Sequence, residues 1–175
     1  MHSTNISNLL LFWSDKHKRK LPWRDINDSY KIWLSEVMLQ QTQVNTVIPY
    51  YLMWIKKYPT LSSVAESNID DLLKLWEGLG YYRRAKNLLA SSKLLVKKYN
   101  SKLPNTIEEV KKLPGVGEYT ANALLGLIHN QPKIAIDGNV KRVFARLLNK
   151  KKEKIKYEEL ILLNKKKLFN TNRNA

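Results

Sequence analysis

The stretch Ser35-Glu36-Val37-Met38-Leu39-Gln40-Gln41-Thr42-Gln43 sets one carboxylate among apolar residues, just ahead of a run of amides. Ile32, Glu36 and Leu39 follow one another at one-turn spacing. A helix over residues 30–41 therefore points Glu36 where Ile32 and Leu39 point, toward the interior. Burial penalises the charged form of a carboxyl group, so a glutamate there keeps its proton more readily and suits general acid catalysis. An exposed or purely structural glutamate is the other reading, and periodicity alone leaves both open.

Outward from this stretch, apolar residues keep helical spacing almost everywhere. The pattern predicts helices over 7–18, 44–57, 69–77, 81–99, 118–129 and 140–148, with a further one over 156–168. Asn68 is placed to cap the start of the stretch over 69–77, with Gly78 as its stop. Thr106 followed by Glu109 forms a capping box for a short helix ending near Leu113. Strand-like alternation never persists, and no internal repeat is visible. The fold class is all-α. One compositional boundary follows Arg146, where Asn149-Lys150-Lys151-Lys152-Glu153-Lys154 opens a charged, low-complexity run. The expected organisation is a domain over 1–148, with a helical hairpin at about 106–130, and a Lys/Asn-rich tail over 149–175.

Composition bounds the function. The chain has 175 residues, 43% of them hydrophobic, and no apolar run long enough to span a membrane. Its opening, MHSTNISNLLLFW, lacks the basic region and small-residue cleavage site of a secretory signal, which makes a soluble cytoplasmic protein the expectation. Thirty-one Lys and Arg against fifteen Asp and Glu give a net charge of +16. Such an excess favours a polyanion, and nucleic acid is the commonest one inside a cell. An AT-rich genome also yields lysine and asparagine codons freely, and the tail owes more to that cause. Cysteine is absent, which excludes disulfides and thiolate metal sites, and three histidines argue against a zinc centre.

Leu113-Pro114-Gly115-Val116-Gly117 reads as a helix end, a tight turn and a new start. Pro114 ends one helix, and Gly115 and Gly117 permit a tight turn and close backbone approach. The free amides of the next helix could then bind a phosphate without any side chain, although a bare L-P-G-x-G is also an ordinary hairpin. Asp137 before Gly138 and Asn139, opening an apolar-periodic helix, reads as an N-cap.

Four motifs in one order carry a family resemblance: SEVMLQQTQV, GLGYYRRAKNL (78–88), LPGVGEYTA (113–121) and IDGNVKRVFAR (136–146). From about Leu21-Pro22-Trp23-Arg24 to Arg146 the chain resembles the MutY-type adenine DNA glycosylases of the helix-hairpin-helix glycosylase superfamily. The resemblance implies a six-helix barrel lobe and a second lobe joining the N-terminal helix to C-terminal helices. That second lobe is expected to be incomplete here, leaving Leu9, Leu10, Phe12 and Trp13 short of cover and the fold marginally stable. It also implies removal of adenine opposite 8-oxoguanine or guanine in double-stranded DNA, by a monomer associated with the nucleoid. The family holds a four-iron, four-sulfur cluster through four cysteines, and this chain has none to offer. By the same resemblance, a protein without the family's C-terminal domain for 8-oxoguanine is expected, and the ending LFNTNRNA reads as a frameshift, a truncated gene or a fragment.

Residue by residue, the resemblance makes Glu36 the acid and Asp137 the second carboxylate, with Asn139 beside it. Tyr119 stands where endonuclease III-like relatives carry the lysine that forms a Schiff base, which favours a monofunctional enzyme using water. Gln40 and Tyr81 match residues that wedge into the base stack, with Gln41 in the same run; Thr42 and Leu79 match residues near the opposing guanine. Gly115, Gly117, Lys141 and Arg142 are implied backbone contacts, and Arg83, Arg84 and Lys86 are read as phosphate contacts. Trp23, Arg24 and Leu39 are placed around the extruded adenine. Two alternatives stand beside this reading: an endonuclease III-type pyrimidine glycosylase/lyase, and a non-catalytic DNA-binding remnant.

Overall fold

Helical spacing of apolar residues becomes helix in the computed structural model, which describes residues 6–147 and 149–151. In chain order the elements are α1 (Ile6–His17), α2 (Ser29–Leu39), α3 (Val44–Lys57), α4 (Leu61–Ala65), α5 (Ile69–Leu75), α6 (Arg83–Tyr99), α7 (Ile107–Val110), α8 (Glu118–His129) and α9 (Gly138–Leu147). No strand occurs among the described residues. The expected helix over 156–168 and most of the expected tail lie outside them.

Local chemistry explains most boundaries. Asp28 caps α2 by accepting from Lys31 N at 3.1 Å, and Asn68 caps α5 by accepting from Asp70 N at 2.9 Å. Asn100 and Asn130 close α6 and α8 in the left-handed conformation, each donating its backbone N–H back to the helix, to Leu95 O and Leu125 O. The Thr106 hydroxyl caps α7 by accepting from Glu109 N, but it donates to Glu109 Oε2, so the reciprocal backbone bond of a full capping box is replaced. α4 is absent from the expectations above. Thr60 and Ser63 make it with a capping box around five residues, too few to show a period.

The chain divides into two compact units, residues 21–135 and residues 1–20 with 136–175. The first holds α2 to α8 around one core. Trp33, Leu34 and Met38 of α2, Val47, Tyr51 and Trp54 of α3, and Leu88 and Leu95 of α6 are almost wholly buried. Leu124 and Leu125 of α8 join them, so α2 packs against α3, α6 and α8 together. Replacing one such leucine by alanine costs about 2–5 kcal/mol. Polar tips in this core are tied: Trp54 Nε1 donates to Tyr30 Oη at 2.9 Å, and Tyr30 Oη donates to Tyr58 O at 2.8 Å.

In the second unit, α1 keeps an apolar stripe in the open. Leu9, Leu10, Phe12 and Trp13 are 52–61% exposed. Lys16 lies over the Phe12 ring and His17 stacks on Trp13.

Candidate active site

Glu36 lies one turn before the end of α2, and its depth differs from the expectation. Ile32, Glu36 and Leu39 do share a line, but all three are half-buried. The deepest face of α2 belongs to Trp33, Leu34, Val37 and Met38 instead. The carboxyl thus sits at the margin of the core, protected yet reachable. Burial raises its pKa above the ordinary glutamate value; among the described residues it draws no hydrogen bond or ion pair. That combination favours the protonated form without immobilising it.

Just beyond, α2 ends and the amide run turns away. Gln40 Nε2 donates to Thr120 Oγ1 of α8 at 3.3 Å, which ties the end of α2 to α8. Gln41 is exposed and has a left-handed φ of 58°, and Thr42 Oγ1 donates to Gln40 O at 3.4 Å. A second turn, Gly78 to Tyr81, runs beside this one. Tyr81 is 61% exposed with φ 50°, whereas Leu79 is 5% exposed and packs in the core. A hydroxyl and a left-handed φ of 88° explain the first glycine of that turn: a Cβ at Gly78 would run into Tyr50 Oη.

Arg84 corrects an expectation. Read from sequence as a phosphate contact, it is buried, and its guanidinium donates to backbone carbonyls of both turns. Nη1 reaches Val37 O, Met38 O and Gln40 O at 3.2, 2.7 and 2.6 Å; Nη2 reaches Leu79 O and Gly80 O at 3.2 and 3.0 Å. The carbonyls at a helix end lack intrahelical donors, and Arg84 supplies them for α2. A signal for this was present: Arg84 shares a helical face with Leu88, Ser92 and Leu95, all buried. Its neighbours Arg83 and Lys86 are exposed, as a surface contact requires.

The hairpin follows α7. Ser91 Oγ donates to Pro114 O at 3.0 Å, fixing the turn to α6. Gly115 has φ 80°, and a Cβ there would lie 2.6 Å from Asn87 Nδ2, so glycine is required twice over. Gly117 differs from the expectation of a tight-turn glycine. Its backbone is extended (φ −88°, ψ −179°) and a Cβ there would meet nothing. It starts α8 without any side-chain cap, leaving the first turn open on that side. Tyr119 follows in that turn, 44% exposed.

Asp137 opens α9 in the other unit. Its Oδ1 accepts from Asn139 N at 2.9 Å and Val140 N at 2.7 Å, and Oδ2 accepts from Asn139 Nδ2 at 2.9 Å. The N-cap reading is therefore right. Asn139 Oδ1 in turn accepts from Arg142 Nη2 at 3.0 Å, and Lys141 is half-buried beside it.

Of the residues placed around an extruded base, Arg24 is exposed and Leu39 half-buried, while Trp23 is buried edge-on against Tyr51 at 5.1 Å. Thr120 and Asn87 are the participants the sequence did not single out, because each acts through a partner distant in the chain. The cluster-binding residues of the resemblance have no counterpart in this chain: cysteine is absent, and among the described residues no group of His, Asp or Glu is placed to hold a metal. The residues present do not fit an iron-sulfur cluster.

Residues 34–167 match the model of the HhH-GPD superfamily base excision DNA repair proteins. The chain is 47% identical over 138 residues to the adenine DNA glycosylase of Buchnera aphidicola subsp. Baizongia pistaciae, covering 78% of this chain and 39% of that protein. It is 44% identical over 147 residues to the human adenine DNA glycosylase, covering 79% of this chain and 27% of that protein. Thus the chain spans about two fifths of the first relative's length or less. Among solved structures, a thermostable thymine-DNA glycosylase superposes with a TM-score of 0.80 at 25% identity, covering 90% of this chain and 73% of that one.

Proposed function

Because the chain belongs to the HhH-GPD superfamily of base excision DNA repair proteins, we propose that it hydrolyses the N-glycosidic bond of adenine mispaired with 8-oxoguanine or guanine in duplex DNA. The observation that carries this reading is Glu36: a carboxyl raised in pKa by burial, free of partners among the described residues, one turn before the amide run.

The chemistry needs a proton and a negative charge. Adenine leaves poorly as an anion, so protonating a ring nitrogen lets the C1′–N9 electron pair depart with a neutral base. Glu36 supplies that proton and becomes a carboxylate. The sugar left behind carries positive charge, which Asp137 stabilises; water adds to C1′, and its proton passes to a carboxylate. Asp137 accepts every hydrogen bond it makes to Asn139 and Val140 and donates none, which suits an anionic role. Tyr119 has no amine to form an imine, so the product is an abasic site with the strand intact.

Reaching the bond requires the adenine to leave the stack. Gln40 and Tyr81, on neighbouring turns, are suited to fill the gap, with exposed Gln41 beside Gln40, since amides and aromatics stack and hydrogen-bond without demanding one sequence. The uncapped start of α8 at Gly117 is suited to a phosphate. A net charge of +16 adds sequence-independent attraction for DNA.

The test is a single-turnover assay on duplex carrying adenine opposite 8-oxoguanine, with alkali to cleave abasic products. Product that disappears in Glu36→Gln supports the assignment. Strand cleavage without alkali, trapped by borohydride, overturns it in favour of a lyase.

A further inference from the structure

Gln41 and Tyr81 hold the left-handed backbone conformation at φ 58° and 50°, which residues with long or bulky side chains rarely adopt. Each follows a peptide whose carbonyl oxygen is gripped by the same side chain. Arg84 Nη1 donates to Gln40 O at 2.6 Å, and Nη2 donates to Gly80 O at 3.0 Å. Those are the peptide planes that define φ of Gln41 and φ of Tyr81. The guanidinium also lies 5.4 Å from the Tyr81 ring centre and 5.4 Å from that of Trp76, whose Nε1 donates to Gly80 O at 3.0 Å. A planar group with fixed donor directions suits this double grip, and a lysine, with one rotating ammonium, does not.

We propose that Arg84 is a positioning residue that locks the peptides before Gln41 and Tyr81 in their left-handed turns, so that two exposed loops meet mispaired DNA as one rigid body. The part of this that concerns DNA rests on the glycosylase reading; the part that concerns the turns does not. Arg84 itself is buried, and its guanidinium donates inward to backbone carbonyls. Its effect on DNA passes through the loops.

Two measurements on the 175-residue chain test it. The first is a stability cycle by chemical denaturation with Arg84→Lys, Gln41→Gly and the double variant. Glycine relieves a left-handed strain at no steric cost, so Gln41→Gly raises the denaturation midpoint of the otherwise unchanged chain. With Lys at position 84 the turn relaxes by itself, and the gain from glycine disappears. Additive effects overturn the proposal, because the strain would then be independent of Arg84. Tyr81→Gly repeats the cycle on the second turn.

The second measurement compares Kd for duplex with adenine opposite 8-oxoguanine and for fully paired duplex. Arg84→Lys weakens mispair binding about tenfold or more, as loss of a charge-assisted hydrogen bond does, and leaves paired duplex unchanged. Equal weakening of both, with a shallower salt dependence, marks a phosphate contact and overturns the proposal. If the unmodified chain shows no mispair preference, the glycosylase reading fails, and the stability cycle still decides the role of Arg84.

Discussion

Glu36 stands half-buried on α2 with burial alone acting on its proton, whereas Asp137 commits both carboxylate oxygens to the start of α9. The same functional group thus sits in two environments. A carboxyl at the margin of an apolar core is destabilised as an anion; one surrounded by N–H donors at a helix start is held as an acceptor. On the proposed two-carboxylate chemistry, the difference teaches that stability and function pull against each other at Glu36 and run together at Asp137.

The largest expected effect tests the chemical half of this contrast. Glu36→Gln keeps the shape of the side chain and removes the proton donor, so single-turnover adenine release falls by about 10²–10⁴-fold. Asp137→Asn should also lose turnover while the helix start stays capped, since asparagine is an equally good N-cap. A full rate in either variant breaks the two-carboxylate assignment.

The next effect is on folding and should have opposite signs. Asp137→Ala removes the cap of α9 and lowers stability by about 1 kcal/mol, read from the denaturation midpoint. Glu36→Gln should instead stabilise the fold at neutral pH, by less than that. The sign follows from linkage: burial raises the folded-state pKa of Glu36, so as pH rises from the ordinary glutamate range the unfolded chain ionises first and stability is lost. Below that range both states are protonated, and the advantage of glutamine vanishes. A Glu36→Gln midpoint that is lower at neutral pH, or equally shifted in acid, contradicts the contrast.

The smallest effect sharpens the Asp137 side. Asn139→Ala removes one donor to Oδ2 and the acceptor for Arg142, both exposed bonds, so it should cost about 0.5 kcal/mol and reduce turnover far less than Asp137→Asn. A loss of turnover equal to that of Asp137→Asn would move Asn139 from supporting the carboxylate to contacting DNA itself.

What could be read from the sequence follows the range of the interactions. The caps at Asn68 and Asp137 are legible because donor and acceptor lie within three residues of each other. The long helices are legible because their apolar faces repeat. Glu36 could be placed on a helix face but not at a depth, since the face of Trp33 and Val37, one residue away, goes deeper. Arg84 looked like surface charge because its acceptors, the carbonyls of Val37, Met38 and Gln40, belong to another helix end. The pairing of Gln40 with Thr120 had no local trace for the same reason. Gly115 and Gly117 look alike in the motif, yet only Gly115 is forced by its φ and by Asn87.

Trp54 and Trp76 meet edge to face, with ring centres 5.4 Å apart and planes at 83°. Two indoles so close and so nearly perpendicular couple their electronic transitions, and the chain therefore carries its own chiroptical signal. Circular dichroism in the indole bands reports whether α3 still meets the end of α5, with no label and no DNA present. A variant that keeps this couplet and loses turnover has lost its chemistry; one that loses both has lost its fold.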